Sequence, residues 1–219
     1  MLTDIPFFKN PSNTHCWQAS MKMILAHAFP DREYSWEELE IASNKKEGYG
    51  TWPMAGCLHF SENGFDVLLI EKDFDYYAIG QGLVKYLTEA FPKKEAEYMI
   101  ATTDVPSEEF HARNFAQAMD DGFVQLKNRD VTACDFKEHL SKGHYIIQWV
   151  DQERLGDKDK MEGHYVVITG VNEDNIMFHD CACSANRQMS SEKFMNACLN
   201  GETTGGTYIF IKKEKEHDN

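Results

Sequence analysis

Cys16 stands where a polar loop, Asn10-Pro-Ser-Asn-Thr-His, runs into an apolar helical stretch, Cys16 to Phe29. A thiol at a helix N-terminus meets unpaired backbone N–H groups and the positive end of the helix dipole. Both favour the thiolate, the form that attacks carbonyl carbon. A thiolate needs a base and a group to orient that base. His164 begins an apolar run, His-Tyr-Val-Val-Ile-Thr-Gly, after a glycine and a charged loop, so its ring sits at the end of a strand. Asp180 closes the next strand-like run, Asn175 to Asp180. If the two runs form a hairpin, a three-residue loop, Asn172–Asp174, sets Asp180 opposite Val166, on the face that carries His164; an even loop sets them on opposite faces. An odd loop is therefore expected. The roles would be Cys16 as nucleophile, His164 as base and Asp180 as orienter.

Other chemistry-bearing residues lack such a frame. His179, Cys181 and Cys183 form a short cluster with metal-ligand character, but no fourth ligand stands at a recognisable spacing. No metal and no cofactor are expected, and the cluster is a weak candidate. His15 and Trp17 flank the nucleophile and are read as walls of a cleft.

Helices dominate the first part of the chain and strands the last. Ser35-Trp-Glu-Glu38 and Thr132-Ala-Cys-Asp135 are capping signals; Pro53 opens a helix and Asn63-Gly64 closes it. Phe65–Ile70 reads as a strand, and Asp75–Asp121 as helical, broken around Pro92 and Pro106. Strands are expected over His144–Val150, His164–Gly170, Asn175–Asp180 and Thr207–Ile211, with helices over Phe136–Lys142 and Ser191–Leu199. This order is that of an α+β domain in which a central nucleophile helix packs on a C-terminal antiparallel sheet. The whole of 1–219 reads as one domain, 75–121 as a helical insert or lid, and 213–219 as a frayed tail.

The 219 residues include 42% hydrophobic and 12% aromatic side chains, enough for one sizeable core. A formal charge of −14 argues against nucleic acid or an anionic membrane as partner. No secretory signal and no apolar run of spanning length are visible, so the six cysteines are read as reduced thiols and the expected compartment is the cytoplasm. A chain trimmed of a leader would read the same way. The oligomeric state is left open.

The order Cys, His, Asp resembles papain-like cysteine peptidases, and within them the bacteriocin-processing (double-glycine leader) branch. Asn-Thr-His-Cys16-Trp-Gln-Ala-Ser, Asp135 to Ile147, and Gly163 to Gly170 with Phe178-His-Asp180 carry the likeness. The resemblance implies a papain-like fold and a peptide or protein substrate, cleaved at a peptide or isopeptide bond through an acyl-thioester. It also implies an oxyanion donor six residues before the cysteine, where the family has glutamine and this chain has Asn10, shorter by one methylene, roughly 1.5 Å. Losing such a donor costs about 2.7–4 kcal/mol of transition-state stabilisation. Asn13 and Gln18 are the alternative donors. Cys16 lies too near the start for the propeptide many papain-like enzymes carry, so no zymogen is expected. The same triad would also serve an acyl transferase, and a papain-fold binding protein with weak catalysis is the third reading. Cleft walls are expected from Asp75–Asp121 and from the loop around Gly48–Trp52.

Overall fold

The computed structural model describes residues 4–72, 74–159, 162–198 and 208–213. Among them the helices are α1 (Cys16–Ala28), α2 (Trp36–Ala42), α3 (Met54–Glu62), α4 (Tyr76–Ala90), α5 (Lys93–Ala101), α6 (Val105–Asp120), α7 (Ala133–Ser141), α8 (Gln152–Leu155) and α9 (Ser191–Ala197). The strands are β1 (Phe65–Ile70), β2 (Val124–Lys127), β3 (Tyr145–Asp151), β4 (Gly163–Val171), β5 (Asn175–His179), β6 (Arg187–Ser190) and β7 (Tyr208–Lys213). They form one sheet in the order β2-β1-β7-β3-β4-β5-β6. Every described pairing is antiparallel except β1 with β2. The α+β plan expected from the sequence holds, with this parallel pair and the N-terminal β1 added to it. Of the expected tail, Lys213 belongs to β7, and 214–219 lie outside the described residues, as do Leu199 and Thr207.

The sheet is covered on both faces, which explains why β4 reads as a nearly unbroken apolar run rather than an alternating one. Tyr165 joins the core built by α1, α3, α4 and α6, whereas Val166 and Ile168 join the core under α7 and α9. Local signals set most helix ends. Ser35 and Glu38 exchange the two hydrogen bonds of a capping box, and Thr132 and Asp135 do the same. Gly64 takes the left-handed conformation (φ 77°) that ends α3. Pro92 precedes α5, while Pro106 is accommodated in the first turn of α6, where a missing N–H costs nothing. Helix α4 is interrupted at Gly82, and Glu109 accepts the Leu83 N–H at 2.9 Å. No helix among the described residues is long and apolar enough to cross a membrane.

The β4–β5 connection departs from expectation in an instructive way. The strands leave Asn172–Asp174 between them, but Val171 pairs with Ile176, and the Asn172 N–H donates to the Asn175 carbonyl at 3.0 Å. The turn proper is therefore Glu173-Asp174, an even one, and the odd-loop expectation fails. Further along, Ile168 pairs with Phe178 and Val167 with His179, because a bulge at Thr169 shifts the register by one. That shift returns Asp180 to the face of Val166 and His164. The shared face stands; its cause is the bulge.

Helix α1 is seated on α3 by Trp17, which is fully buried against Gly56. A Cβ at Gly56 would lie 2.4 Å from Trp17 Nε1 and 2.8 Å from two ring carbons. Helix propensity would favour alanine by about 1 kcal/mol, but a rigid indole cannot yield, and overpacking costs about 1–3 kcal/mol. Gly56→Ala is therefore expected to destabilise the protein by up to about 2 kcal/mol in urea unfolding, overpacking outweighing propensity. A stabilised variant would show that the seat of Trp17 is loose.

Candidate active site

Cys16 is the first residue of α1, and α1 packs on β4. The Trp17 N–H, in the first turn of the helix, donates to the Cys16 sulfur, as does the Tyr165 N–H from β4. The sulfur also hydrogen-bonds the ring of His164. His164 Nε2 lies 2.9 Å from Asp180 Oδ1, which leaves Nδ1 for the thiol. Asp180 Oδ1 accepts the Ala182 N–H at 3.0 Å, and its other oxygen accepts from Arg187 at 2.5 Å. Arg187 in turn holds Asp157 through two contacts, 2.5 and 3.0 Å. The result is one continuous chain: Cys16, His164, Asp180, Arg187, Asp157.

The chain is sheltered from water, His164 being 3% exposed and Asp180 1%. Burial pushes the Cys16 thiol up, but the hydrogen bond to His164, the charge of that ring and the two N–H donors outweigh it, and the pKa falls below that of an ordinary thiol. Burial pushes His164 down; the bonds to Asp180, Cys16 and Cys181 reverse this and hold the ring protonated well above its usual range. For Asp180, burial is opposed by His164, Arg187 and the Ala182 N–H, and the carboxyl settles at about 2. These directions agree with one another. The lowered thiol and the raised imidazole both favour a thiolate beside an imidazolium.

Three residues were named as oxyanion donors, and they fare differently. Gln18 is fully buried and its amide donates to Ser43 Oγ at 2.7 Å and Thr51 Oγ1 at 3.1 Å. Its hydrogens are committed inside the core, so it is not available. Asn13 lines the cavity beside Cys16. Asn10 has its backbone N–H bonded to the Cys181 carbonyl at 3.1 Å, and its side-chain Nδ2 is buried with no hydrogen-bond partner. An orphaned buried donor costs roughly 1–3 kcal/mol unless something completes it. The loop is further pinned by His15, which reaches Ser12 Oγ at 2.6 Å through Nδ1 and Glu40 at 2.8 Å through Nε2.

The weak metal cluster is not assembled. His179 uses both ring nitrogens on backbone, Nε2 with the Ile5 carbonyl at 2.8 Å and Nδ1 with the Asn186 N–H at 3.0 Å. Cys183 is exposed, and Cys181 turns inward, its sulfur 4.0 Å from His164 Nε2. No group of three metal-type side chains is gathered among the described residues. Sequence reasoning missed Arg187 as the partner of Asp180 and Cys181 as a neighbour of the histidine. Arg187 opens β6, an edge strand with no apolar alternation to announce it, and only its distance from Asp180 across a tight turn could have suggested the contact.

Beside the sulfur opens a cavity of about 300 Å³. One wall comes from Gly48–Pro53, a second from the start of α4 and from α5 with the Thr102-Thr103 turn, and a third from Trp149 and Tyr165 of the sheet.

Comparison with known proteins adds to this. Residues 104–201 match DUF3335, described as a Peptidase_C39 like family. This bears out the resemblance to the bacteriocin-processing peptidases. The matched span holds His164, Asp180 and Arg187, and it leaves out Cys16 and Asn10. No curated protein matches the chain. Two solved structures are similar at a TM-score of 0.48 each. One is the peptidase domain of Streptococcus ComA, a bifunctional ABC transporter of a quorum-sensing pathway, with 14% identity over 94% of this chain and 97% of that one. The other is a double-glycine-motif protease from an AMS/PCAT transporter in complex with its leader peptide, with 13% identity over 96% and 94%. At these scores the overlaps assign no role to any residue of this chain.

The charge pattern gives a measurable expectation. The pH profile of iodoacetamide alkylation at Cys16 should have its midpoint below that of an unstructured cysteine peptide, about 8.5. Asp180→Asn removes the carboxylate that holds His164 charged, so the thiolate loses its partner and the midpoint should rise. An unmoved midpoint would disconnect Asp180 from the thiol.

Proposed function

We propose that the protein is a cysteine peptidase that cleaves a peptide or isopeptide bond with Cys16 as nucleophile, His164 as acid and base, and Asp180 as orienter. The observation that carries this reading is the hydrogen-bonded chain from Cys16 through His164 to Asp180 beside an open cavity. The likeness of residues 104–201 to a peptidase family supports the reaction class.

The steps follow from the charges. The Cys16 thiolate attacks the carbonyl carbon, and the carbonyl π electrons move onto oxygen. Asn10 Nδ2, buried without a partner, donates to that oxyanion. His164, protonated at Nδ1, passes its proton to the departing amine, and the C–N bond breaks to leave a thioester on Cys16. Neutral His164 then takes a proton from water, the hydroxide oxygen adds to the thioester, and the collapsing intermediate expels the thiolate. Asp180 stays ionised throughout, held by Arg187, and keeps Nε2 as donor so that Nδ1 faces the sulfur. Its companion oxygen contacts remove any need for it to accept a proton.

Two substitutions separate the roles. Cys16→Ala should abolish cleavage of a mixed peptide library, read by mass spectrometry of the products. Asn10→Ala should lower kcat by about 10²–10³ while leaving the alkylation profile of Cys16 unchanged, because the amide acts on the oxyanion and not on the thiol. Wild-type protein no faster than Cys16→Ala would sink the peptidase reading. Equal loss of alkylation and turnover in Asn10→Ala would reassign Asn10 to holding the loop.

A further inference from the structure

The cavity beside Cys16 has an unusual wall. A pocket built for an aliphatic side chain is lined by leucine, isoleucine and valine; here, among the described residues, the aliphatic side chains are those of Met99 and Pro53. The rest of its apolar surface is aromatic, and apart from Phe74 all of it is electron-rich: Trp52, Tyr76, Tyr98, Trp149 and Tyr165. Among the described residues no lysine, arginine or histidine lines it, and besides the sulfur of Cys16 the one acidic side chain there is Glu162.

The polar tips of Trp52, Tyr76 and Tyr98 are engaged within the protein. Trp52 Nε1 donates to Thr103 Oγ1 at 2.9 Å. The Tyr76 hydroxyl donates to the buried carboxyl of Glu71, and Tyr98 Oη accepts the Gly163 N–H. A phenol that donates to a carboxylate gains electron density in its ring, and electron-rich rings are those that attract cations. Trp149 lies so close to Gly163 that a Cβ there would come within 2.6 Å of its Nε1, so the indole is fixed in place by the absence of a side chain. Glu162 has a loose surface pair with Lys158, at 3.7 Å with both side chains part-exposed. Such pairs are worth little, and an arriving cation replaces Lys158 without loss.

We propose that this cavity is an aromatic cage for an organic cation, the side chain of an arginine or lysine in the peptide substrate, with Glu162 as its counter-charge. The inference rests on Cys16 being the nucleophile of a peptide-cleaving site, and it adds which residue that site selects. The aromatic faces supply cation–π attraction in a partly desolvated space, where each is worth more than at a surface. The acidic balance of the whole chain acts in the same direction, drawing a basic segment toward the cleft.

Binding is tested apart from catalysis in the full-length Cys16→Ala protein. N-acetyl-argininamide and N-acetyl-lysinamide are titrated against the neutral isostere N-acetyl-citrullinamide and against N-acetyl-leucinamide, followed by the indole N–H resonances of Trp52 and Trp149. The cationic amides should bind at least tenfold more tightly than citrulline, shift both indoles, and lose fivefold or more in Glu162→Gln. Leucine or citrulline binding as tightly as arginine overturns the cage. In the wild-type protein, sequencing of library products should show arginine or lysine enriched at one fixed position from the cut. Cleavage with no basic preference, with no cation preference in Cys16→Ala, overturns the cage and leaves the peptidase reading intact. Cation preference in Cys16→Ala without any cleavage by the wild type leaves the cage and removes the peptidase.

Discussion

The charge on His164 is what the rest of the site is arranged around. An imidazolium at 3% exposure has lost most of its hydration, a loss of several kcal/mol for a buried ion. Asp180 offsets it on one side and the Cys16 thiolate on the other, and Asp180 is itself offset by Arg187, which is held by Asp157 near the surface. Signs alternate along the whole chain, so each interior charge has an opposite neighbour at hydrogen-bond distance. Remove one member and the next is stranded. The elements that carry them are correspondingly rigid: an α1 N-terminus, the first residues of β4, the end of β5 and the start of β6.

Much of this was legible in the sequence, but unevenly. The capping boxes at Ser35 and Thr132, the end of α3 at Gly64 and the apolar run of β4 are short-range signals, and they gave their elements nearly at full length. Cys16, His164 and Asp180 could be named because each sits at an element end beside a polar loop. What was illegible depended on partners far away in the chain. β2 and β6 are four-residue edge strands whose pairing lies in the sheet and not in their own composition. Gln18 looked like a possible oxyanion donor until the core placed Ser43 and Thr51 at its amide. The shared face of His164 and Asp180 was deduced by counting residues around a turn; the count was wrong at the turn and was corrected by the Thr169 bulge, which no local pattern announces.

The cavity shows the same division. Its walls were expected from Asp75–Asp121 and the Gly48–Trp52 loop, and both contribute. The third wall, from Trp149 and Tyr165, belongs to the sheet, and Gly163 decides how closely Trp149 may lie. A glycine before the histidine thus serves two neighbours, since Tyr98 takes its N–H. The aromatic lining was not legible in sequence, because ring type says nothing about which rings remain uncovered.

The strand order has a consequence for how the molecule comes into being. β7, the last strand in chain order, lies between β1 and β3, near the middle of the sheet. Until it is in place, β1 with α3 and β2 has no sheet connection to β3 through β6. The walls of the cavity lie on both sides of that seam. During synthesis, which runs from the N-terminus, both halves leave the ribosome before the strand that joins them. Cys16 is made well before β7, so the cavity beside its thiol is completed only after the strand that joins the two halves has arrived.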